Sequence, residues 1–320
     1  MPLTHETATA LDPQAKAVID LVIKSGRPPY HHLSPKDARQ LFRETRPAST
    51  PTPPEIGEVK DLRAEQIPCR LYRPKGVSAS TALPALIFFH GGGWVIGDLE
   101  THDVLCRQLT AGAGISVVNV DYRLAPEHKF PAAVDDAWTA TRWVAAHAAE
   151  LGIDASRLAV GGDSAGGNLA AVVALRARDH GGPALGLQVL TYPVTDVAAE
   201  SPSYAEFADG FMLTRDSMRW FIAHYLRGQQ DALDWRASPL RAPSLAGVAP
   251  ALVVTAGFDP LRDEGEAYAR RLREAGVRVD TICYGGMIHG FVPMGRLIES
   301  SNRAVAHAAA TLRQALAGAR

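Results

Sequence analysis

Short apolar runs alternate with longer amphipathic segments from about residue 59 onward. Short runs rich in β-branched residues are typical of buried strands, whereas apolar residues recurring every three or four positions indicate helices. Seven strands are predicted in this way, at 69–73, 85–89, 115–121, 158–161, 187–192, 251–255 and 279–283. Helices are predicted between most of them, notably at 134–149, 166–178 and 264–275. The alternation predicts an α/β protein with a mainly parallel central sheet and helices on both faces.

Two segments do not fit this alternation. Residues 1–50 predict two helices that follow the capping residues Asp12 and Ser34, and the four prolines from Pro47 to Pro54 predict a stiff linker. Residues 198–235 form an aromatic-rich insertion after the fifth strand, which should lie over the sheet as a lid. The expected units are N-terminal helices at 1–50, a core at 51–197 and 236–320, and the insertion at 198–235.

Composition narrows the class of protein. Of 320 residues, 33 are basic and 34 acidic, which gives a net charge of −1 and no basic excess for nucleic acid or an anionic membrane. The cysteines Cys69, Cys106 and Cys283 lie far apart without metal-binding spacing, which predicts reduced thiols in a reducing compartment. The N-terminal residues lack signal-peptide features, and every apolar run is too short to span a bilayer. We expect a cytoplasmic protein with no nucleic-acid partner, no stable membrane insertion and no metal.

The fourth predicted strand runs directly into Gly162-x-Ser164-x-Gly166, and a helix follows. In a nucleophile elbow, a serine occupies a tight strand-to-helix turn, and the flanking glycines let strand and helix pass closely. The turn lifts the serine hydroxyl above the C-terminal edge of the sheet, beside a helix N-terminus. A Gly/Ser turn that merely opens a helix has the same short pattern, but this placement favours Ser164 as a nucleophile.

A serine nucleophile needs a base, and the base needs an orienting group. Of the eleven histidines, His289 alone lies in a glycine-flanked loop directly beyond a late strand. Asp259 follows the sixth strand, and Asp263 lies about one turn into the next helix, where an acidic residue is ordinarily a partner of the helix dipole. Asp259 is therefore favoured as the acid and Asp263 is the alternative, in the order Ser, acid, His.

The strand at 85–89 ends in His90-Gly91-Gly92-Gly93-Trp94. Loops of this type point backbone N–H groups at the oxyanion of a tetrahedral intermediate in lipases and esterases. We expect the N–H groups of Gly92, Gly93 and Ala165 to be the donors. A dinucleotide-binding loop is the rival interpretation, but the glycine spacing differs and bulky Trp94 stands where a pyrophosphate would approach.

Five motifs follow one another along the chain: His90-Gly-Gly-Gly-Trp94, Tyr122-Arg-Leu-Ala-Pro-Glu127, Gly162-Asp-Ser-Ala-Gly166, Asp259-Pro-Leu-Arg-Asp263 and His289-Gly-Phe291. In this order, and over nearly its whole length, the chain resembles the hormone-sensitive-lipase-like family (family IV) of bacterial carboxylesterases. The resemblance implies an α/β-hydrolase core with a cap formed by the N-terminal helices and the insertion. It implies Ser164, Asp259 and His289 as a catalytic triad, the three oxyanion donors already named, and esters with short or medium acyl chains.

The predicted activity is hydrolysis of small carboxylic esters through an acyl-serine intermediate, without a metal or organic cofactor. Acyl transfer or amide hydrolysis by the same residues, and a non-catalytic receptor for a small ligand, are the alternatives. The aromatic and sulfur-containing candidates for pocket walls, which could equally pack cap helices together, are Trp94, Phe207, Phe211, Met212 and Phe291. Arg123 and Glu127 are expected to pair locally and brace the loop after the third strand. A monomer or a homodimer is expected.

Overall fold

The computed structural model describes residues 4–5, 10–78 and 80–317. The strands are β1 (Thr4–His5), β2 (Glu58–Ala64), β3 (Ile67–Arg73), β4 (Leu83–Phe89), β5 (Ser116–Val120), β6 (Ile153–Asp163), β7 (Leu185–Thr191), β8 (Ala251–Phe258) and β9 (Val279–Ile288). The α-helices are α1 (Pro13–Lys24), α2 (Pro35–Ser49), α3 (Leu99–Ala113), α4 (Ala132–Ala146), α5 (Ala165–Asp179), α6 (Pro202–Glu206), α7 (Arg215–Tyr225), α8 (Arg262–Glu274) and α9 (Glu299–Ala315).

The strands form one sheet in the order β1-β9-β8-β7-β6-β4-β5-β3-β2. All neighbours pair in parallel except β3, which is antiparallel to both β5 and β2. Alternate residues of β4 point to opposite faces, so Leu86 and Phe88 join one core while Ile87 and Phe89 join the other. The first core includes α3 and α9, and the second includes α4, α5 and α8. The predicted α/β fold, with a mainly parallel sheet covered on both faces, is confirmed.

Several strands are longer than predicted. The strand predicted at 279–283 continues to Ile288, through two glycines that the sequence suggests as a loop. A side chain at Gly257 of β8 would come within 1.9 Å of the carbonyl oxygen of Gly285, so these glycines allow two strands to approach closely. The strands β1 and β2 were not predicted, because the first is very short and the second lies at an exposed, charged edge.

Helix α2 continues through Pro47 to Ser49, so the prediction that a linker begins at Pro47 was wrong. Proline has a φ angle close to the helical value, and the helix ends two residues later, so only the hydrogen bond that its missing N–H would donate is lost. The hydroxyls of Ser49 and Thr50 donate to the Arg46 carbonyl, at 3.3 and 2.8 Å, and satisfy an acceptor in this last turn. Residues 50–56 are irregular, as expected for the rest of the proline-rich segment.

The N-terminal helices contact both the sheet and the insertion. The Asp12 N–H donates to the Gly286 carbonyl of β9 at 3.0 Å. The rings of Tyr30, which follows α1, and Phe221 of α7 have centroids 5.8 Å apart, and His31 Nδ1 lies 3.2 Å from the Ser217 hydroxyl. In the described ranges, no helix has the length and apolar character needed to cross a bilayer.

The expected pairing of Arg123 with Glu127 was wrong. Arg123 forms a bidentate pair with Asp136 of α4, with nitrogen–oxygen distances down to 2.7 Å. Glu127 instead accepts two hydrogen bonds, at 2.9 and 2.6 Å, from Arg39 of α2. A pairing across distant parts of the chain is not visible in sequence spacing, and here it ties an N-terminal helix to the loop after β5.

Candidate active site

Ser164 lies in the turn between β6 and α5, with backbone angles φ 57° and ψ −119°. A side chain on Gly162 or Gly166 would come within 2.3 or 1.9 Å of the Phe89 carbonyl oxygen of β4. The absence of side chains therefore lets the turn pass tightly against the end of the neighbouring strand. The Ser164 N–H donates to the Thr191 carbonyl at 2.8 Å, which fixes the strained residue to the end of β7.

Three side chains from three loops meet above the carboxyl end of the sheet. The Ser164 hydroxyl oxygen lies 3.0 Å from Nε2 of His289, and Nδ1 of the same ring lies 2.7 Å from a carboxylate oxygen of Asp259. Asp259 is fully buried, and its other oxygen accepts the Leu261 N–H at 2.9 Å. Because a carboxylate accepts, Nδ1 carries the proton and Nε2 is free to accept from the serine hydroxyl.

Asp263, the alternative acid, turns elsewhere. Its carboxylate accepts the Ser203 N–H of α6 at 2.9 Å and pairs with Arg262 at 2.9 Å. The aspartate bonded to His289 is therefore Asp259, and Asp263 links α8 to the insertion.

The glycine loop after β4 has the backbone geometry that glycine permits. Gly92 and Gly93 have φ values of 127° and 57°, and the Gly92 carbonyl accepts the N–H groups of Val95 and Ile96 at 3.0 and 2.9 Å. In the part of the chain that the structure describes, the N–H groups of Gly92, Gly93 and Ala165 donate to no acceptor. These three donors therefore have no partner within the described part of the protein.

A buried carboxylate next to the serine holds this loop. Asp163 accepts the Gly91 N–H at 3.0 Å, and the same oxygen lies 3.3 Å from Nε2 of His102. Burial raises the pKa of Asp163, but the interaction with His102, which includes a hydrogen bond, and the charge of Arg46 outweigh burial, and the net shift is downward. The carboxylate form thus persists and anchors the glycine loop to the serine turn.

His90 opens the glycine loop and is completely buried. Burial, and then the nearby His102, lower its pKa to about 4. A neutral ring is the form that stacks on Tyr122, with centroids 4.3 Å apart, while the Tyr122 hydroxyl donates to the His90 carbonyl at 2.7 Å. His90 and His102 are structural here.

A cavity of about 110 Å³ opens beside His289. Its walls combine the serine turn and glycine loop with residues from the N-terminal helices, the insertion and the segment after His289: Tyr30, Phe42, Arg46, Gly92, Ile96, Asp163, Met212, Leu213, Phe221, His289, Gly290, Pro293 and Met294. Of the predicted pocket residues, Met212 lines this cavity.

The other pocket candidates lie in packed aromatic clusters. Trp94 is fully buried and stacks on Tyr225, with ring centroids 4.1 Å apart. Phe207 and Phe211 pack against each other at 5.4 Å and against Phe258 at the end of β8. Phe291, also fully buried, lies 5.2 Å from the Tyr284 ring. These side chains do not line the cavity beside His289, a distinction that sequence spacing does not make.

Metal-binding side chains do not gather at this site or elsewhere in the described ranges, where no group of three or more histidine, cysteine or acidic residues is placed to hold an ion. The polar side chains at the site include those of Ser164, His289, Asp259, Asp163, Arg46 and Tyr30.

A family described as having the alpha/beta hydrolase fold matches residues 86–293 of the chain. The carboxylic ester hydrolase LipN of Mycobacterium tuberculosis is 53% identical over 240 residues, which span 73% of this chain and 63% of LipN. The ethyl acetate hydrolase of Pseudomonas putida is 40% identical over 320 residues, which span 96% of this chain and all of that protein. The chain belongs to the hormone-sensitive-lipase-like carboxylesterases of the α/β-hydrolase fold.

A solved structure agrees with this membership. The crystal structure of a thermostable esterase from Pseudomonas putida superimposes on this carboxylesterase with a TM-score of 0.92 at 43% identity. The match covers 97% of this chain and 99% of that one. The carboxylesterase is thus an enzyme that hydrolyses carboxylic esters, and its substrates are small esters.

Proposed function

We propose that Ser164 is the nucleophile of this carboxylesterase, that His289 is its general base and that Asp259 orients His289. The observation that supports these roles is the unbroken chain of hydrogen bonds from Ser164 through His289 to Asp259, at 3.0 and 2.7 Å. A buried carboxylate on Nδ1 holds the ring in the tautomer whose Nε2 can take the serine proton, and it stabilises the imidazolium that forms.

Ser164 Oγ bonds to the ester carbonyl carbon as its proton passes to His289 Nε2. The carbonyl π electrons move to the oxygen, and the resulting oxyanion accepts hydrogen bonds from Gly92, Gly93 and Ala165. When the carbonyl re-forms, the bond to the alcohol oxygen breaks, and the alcohol leaves with the proton from His289. Water repeats the same steps on the acyl-serine, which releases the carboxylic acid and restores the serine.

The three backbone donors are supported by their freedom from other acceptors and by Gly92 lining the same cavity as His289. Ala165 is also the first residue of α5, so the positive end of the helix dipole faces the developing charge. Preference for short or medium acyl chains is supported by the small volume of the cavity, about 110 Å³.

We also propose that residues 1–50 and 198–235 form a cap over a core of residues 51–197 and 236–320. The contacts of Tyr30 with Phe221 and of His31 with Ser217 support this division, because they join the two cap segments directly. Residues 1–3 and 6–9 lie outside the described part of the first segment, as do 318–320 of the core. A cytoplasmic location and a monomeric or homodimeric state stay predictions.

The test replaces the nucleophile. Ser164→Ala should reduce kcat on 4-nitrophenyl butyrate by a factor of about 10⁴–10⁶, because binding and the oxyanion donors alone remain. A fluorophosphonate probe should label the wild-type enzyme at Ser164 and leave the variant unlabelled. Turnover of Ser164→Ala close to that of the wild type would refute the assignment.

Ser156→Ala is the matched control. Ser156 is exposed and bonds to Asp154 at the start of β6, on the same strand but far along it from the serine turn. The control should keep wild-type turnover and labelling.

A further inference from the structure

A charged side chain of α2 faces the cavity beside His289. Arg46 lines this cavity together with Phe42 of the same helix and the apolar residues Ile96, Leu213 and Phe221. It also lines two adjoining pockets, a mostly apolar groove of about 460 Å³ between α1 and α2 and a pocket of about 480 Å³ between α2 and α3. Nothing in the sequence pattern singles out Arg46.

The guanidinium of Arg46 is held in place, but only some of its hydrogen-bond donors have acceptors. Its Nε donates to the Thr101 carbonyl at 3.2 Å, and its central carbon lies 5.3 Å from the centre of the Phe42 ring. Among the described residues, neither terminal nitrogen has a hydrogen-bond acceptor, and no carboxylate lies within 4 Å. The terminal nitrogens of the planar guanidinium therefore remain free to donate hydrogen bonds.

The carboxylate near Arg46 already has other hydrogen-bond partners. Asp163 is close enough to interact with it electrostatically, but its carboxylate accepts from Gly91 and faces His102. Burial lowers the pKa of Arg46, which reflects the cost of removing water from this half-buried cation. An anionic partner that hydrogen-bonds to this cation with good geometry offsets part of that cost.

We propose that Arg46 binds a carboxylate carried by the substrate, so that the enzyme prefers esters that bear a free carboxylate over neutral esters of the same shape. The planar guanidinium fork matches a carboxylate with two parallel hydrogen bonds, which gives both affinity and orientation. The groove between α1 and α2 provides room for the part of the ester that carries the carboxylate. This inference rests on the proposed function, because it places the anion relative to the cavity beside His289.

The test compares anionic and neutral ester pairs. One series has the carboxylate on the acyl side: mono-4-nitrophenyl esters of dicarboxylic acids from succinate to suberate, each beside the branched acyl ester in which an isopropyl group replaces the carboxylate. The other series has it on the alcohol side: butyrate esters of ω-hydroxy acids, beside their isopropyl counterparts. The wild type should show a higher kcat/KM for the anionic member in at least one series, and that series identifies the side.

Arg46→Met should lower the ratio of anionic to neutral kcat/KM by a factor of about 10–100, mainly through KM, because the charge-assisted bonds form in the ground state as well. Arg46→Lys keeps the charge but not the fork, and should lower the ratio less. Arg219→Met is the matched control: Arg219 is an exposed cation of α7 that pairs with Glu200, away from the cavity, and its removal should leave the ratio unchanged.

Equal kcat/KM for both members of every pair in the wild type, or a ratio that Arg46→Met leaves unchanged, would overturn the inference. If thermal unfolding shows that Arg46→Met does not fold, Arg46→Lys takes its place. The inference is then overturned if, at high salt, the ratio of anionic to neutral kcat/KM in Arg46→Lys equals that of the wild type and the KM of every anionic ester is unaltered. Hydrolysis of the neutral esters by the wild type separates these outcomes from failure of the proposed function, which predicts that hydrolysis whether or not Arg46 binds an anion.

Discussion

At the scale of single residues, the site depends on backbone positions that tolerate no side chain. A methyl group on Gly92 would come within 2.1 Å of the Ile96 carbonyl oxygen, and one on Gly93 would come within 2.3 Å of the Phe221 ring. Both residues also have positive φ angles. The direction of the free N–H groups is therefore fixed by the lack of side chains at these positions.

Gly92→Ala should lower kcat on 4-nitrophenyl butyrate by a factor of about 10²–10³, the usual loss when an oxyanion donor is misdirected. The added methyl must displace the Ile96 carbonyl and rotate the loop. Steady-state kinetics would check this, with KM expected to change less than kcat.

Gly114→Ala is the control for backbone strain. Gly114 has φ 70° at the end of α3, and an added methyl would meet nothing within 4 Å. It should cost about 1 kcal/mol of stability and leave kcat at the wild-type value. An unchanged kcat in Gly92→Ala would contradict a role for this loop in catalysis.

The meeting of Ser164, Asp259 and His289 could be predicted because each follows a recognisable strand, and parallel strands bring their ends to one edge of a sheet. The orientation of Arg46 could not be predicted. The amphipathic pattern of α2 does not reveal which polar side chain turns toward a cavity that distant segments build. The same limit applies to Trp94, whose position in a packed cluster depends on Tyr225 of α7.

At the scale of elements, a buried carboxylate joins α8 to the loop after β7. Glu264 is almost completely buried and accepts the N–H groups of Thr195 and Asp196 at 2.7 and 3.3 Å. Its other oxygen has no partner among the described residues. Burial raises its pKa well above the ordinary value of 4.5, an effect that Asp196 and Asp259 reinforce. The element junction therefore has a pH-dependent stability.

Glu264→Gln should flatten this dependence. Because the folded-state pKa lies above the unfolded one, the folded protein holds the proton more tightly, and the free energy of unfolding falls as pH rises above about 4.5. Denaturant unfolding at both pH values should check this. The free energy of unfolding of Glu264→Gln minus that of the wild type should be more positive at pH 8 than at pH 5.

Glu274→Gln, at the exposed end of the same helix, is the control and should follow the wild type at both pH values. A difference between Glu264→Gln and wild type that is the same at pH 5 and pH 8 would show that burial does not perturb Glu264.

The existence and order of most elements could be predicted, since buried parallel strands and amphipathic helices leave strong periodic signals. Their ends could not. Glycine is usually read as a turn signal, yet Gly257 and Gly285 continue their strands because the backbones there approach closely. Such a contact depends on how two strands pair, so the sequence around either glycine alone does not reveal it.

At the scale of the whole molecule, one arginine fastens α2 to the core. Arg39 donates to the carbonyls of Val95 and Ala125, at 2.7 and 2.8 Å, and to both oxygens of Glu127. Each acceptor belongs to a loop at the carboxyl end of the sheet. Arg39 therefore contributes several of the bonds that position the helix supplying Phe42 and Arg46 to the cavity, alongside the bond from Arg46 to Thr101.

Arg39→Met should destabilise the protein by about 1–3 kcal/mol, since buried acceptors lose their donors. Amide hydrogen exchange in α2 should become faster, and kcat/KM should fall as the cavity walls lose their position. Hydrogen exchange resolved by peptide mass spectrometry would check the location of the effect.

Lys16→Met, which removes an exposed ion pair with Asp20 on α1, is the control and should change stability by less than about 1 kcal/mol. Unchanged exchange in α2 of Arg39→Met would show that other contacts dock the helix.

The contact between His31 and Ser217 joins positions 186 residues apart. At about 5–20 residues per second of synthesis, a ribosome needs roughly 10–40 s to deliver the second partner after the first. During that interval the inner sides of α1 and α2 lack their partners in the insertion. They are then accessible to chaperones and to other nascent chains. The substrate cavity therefore forms late in the synthesis of this enzyme, although the residues of α2 that line it are translated early.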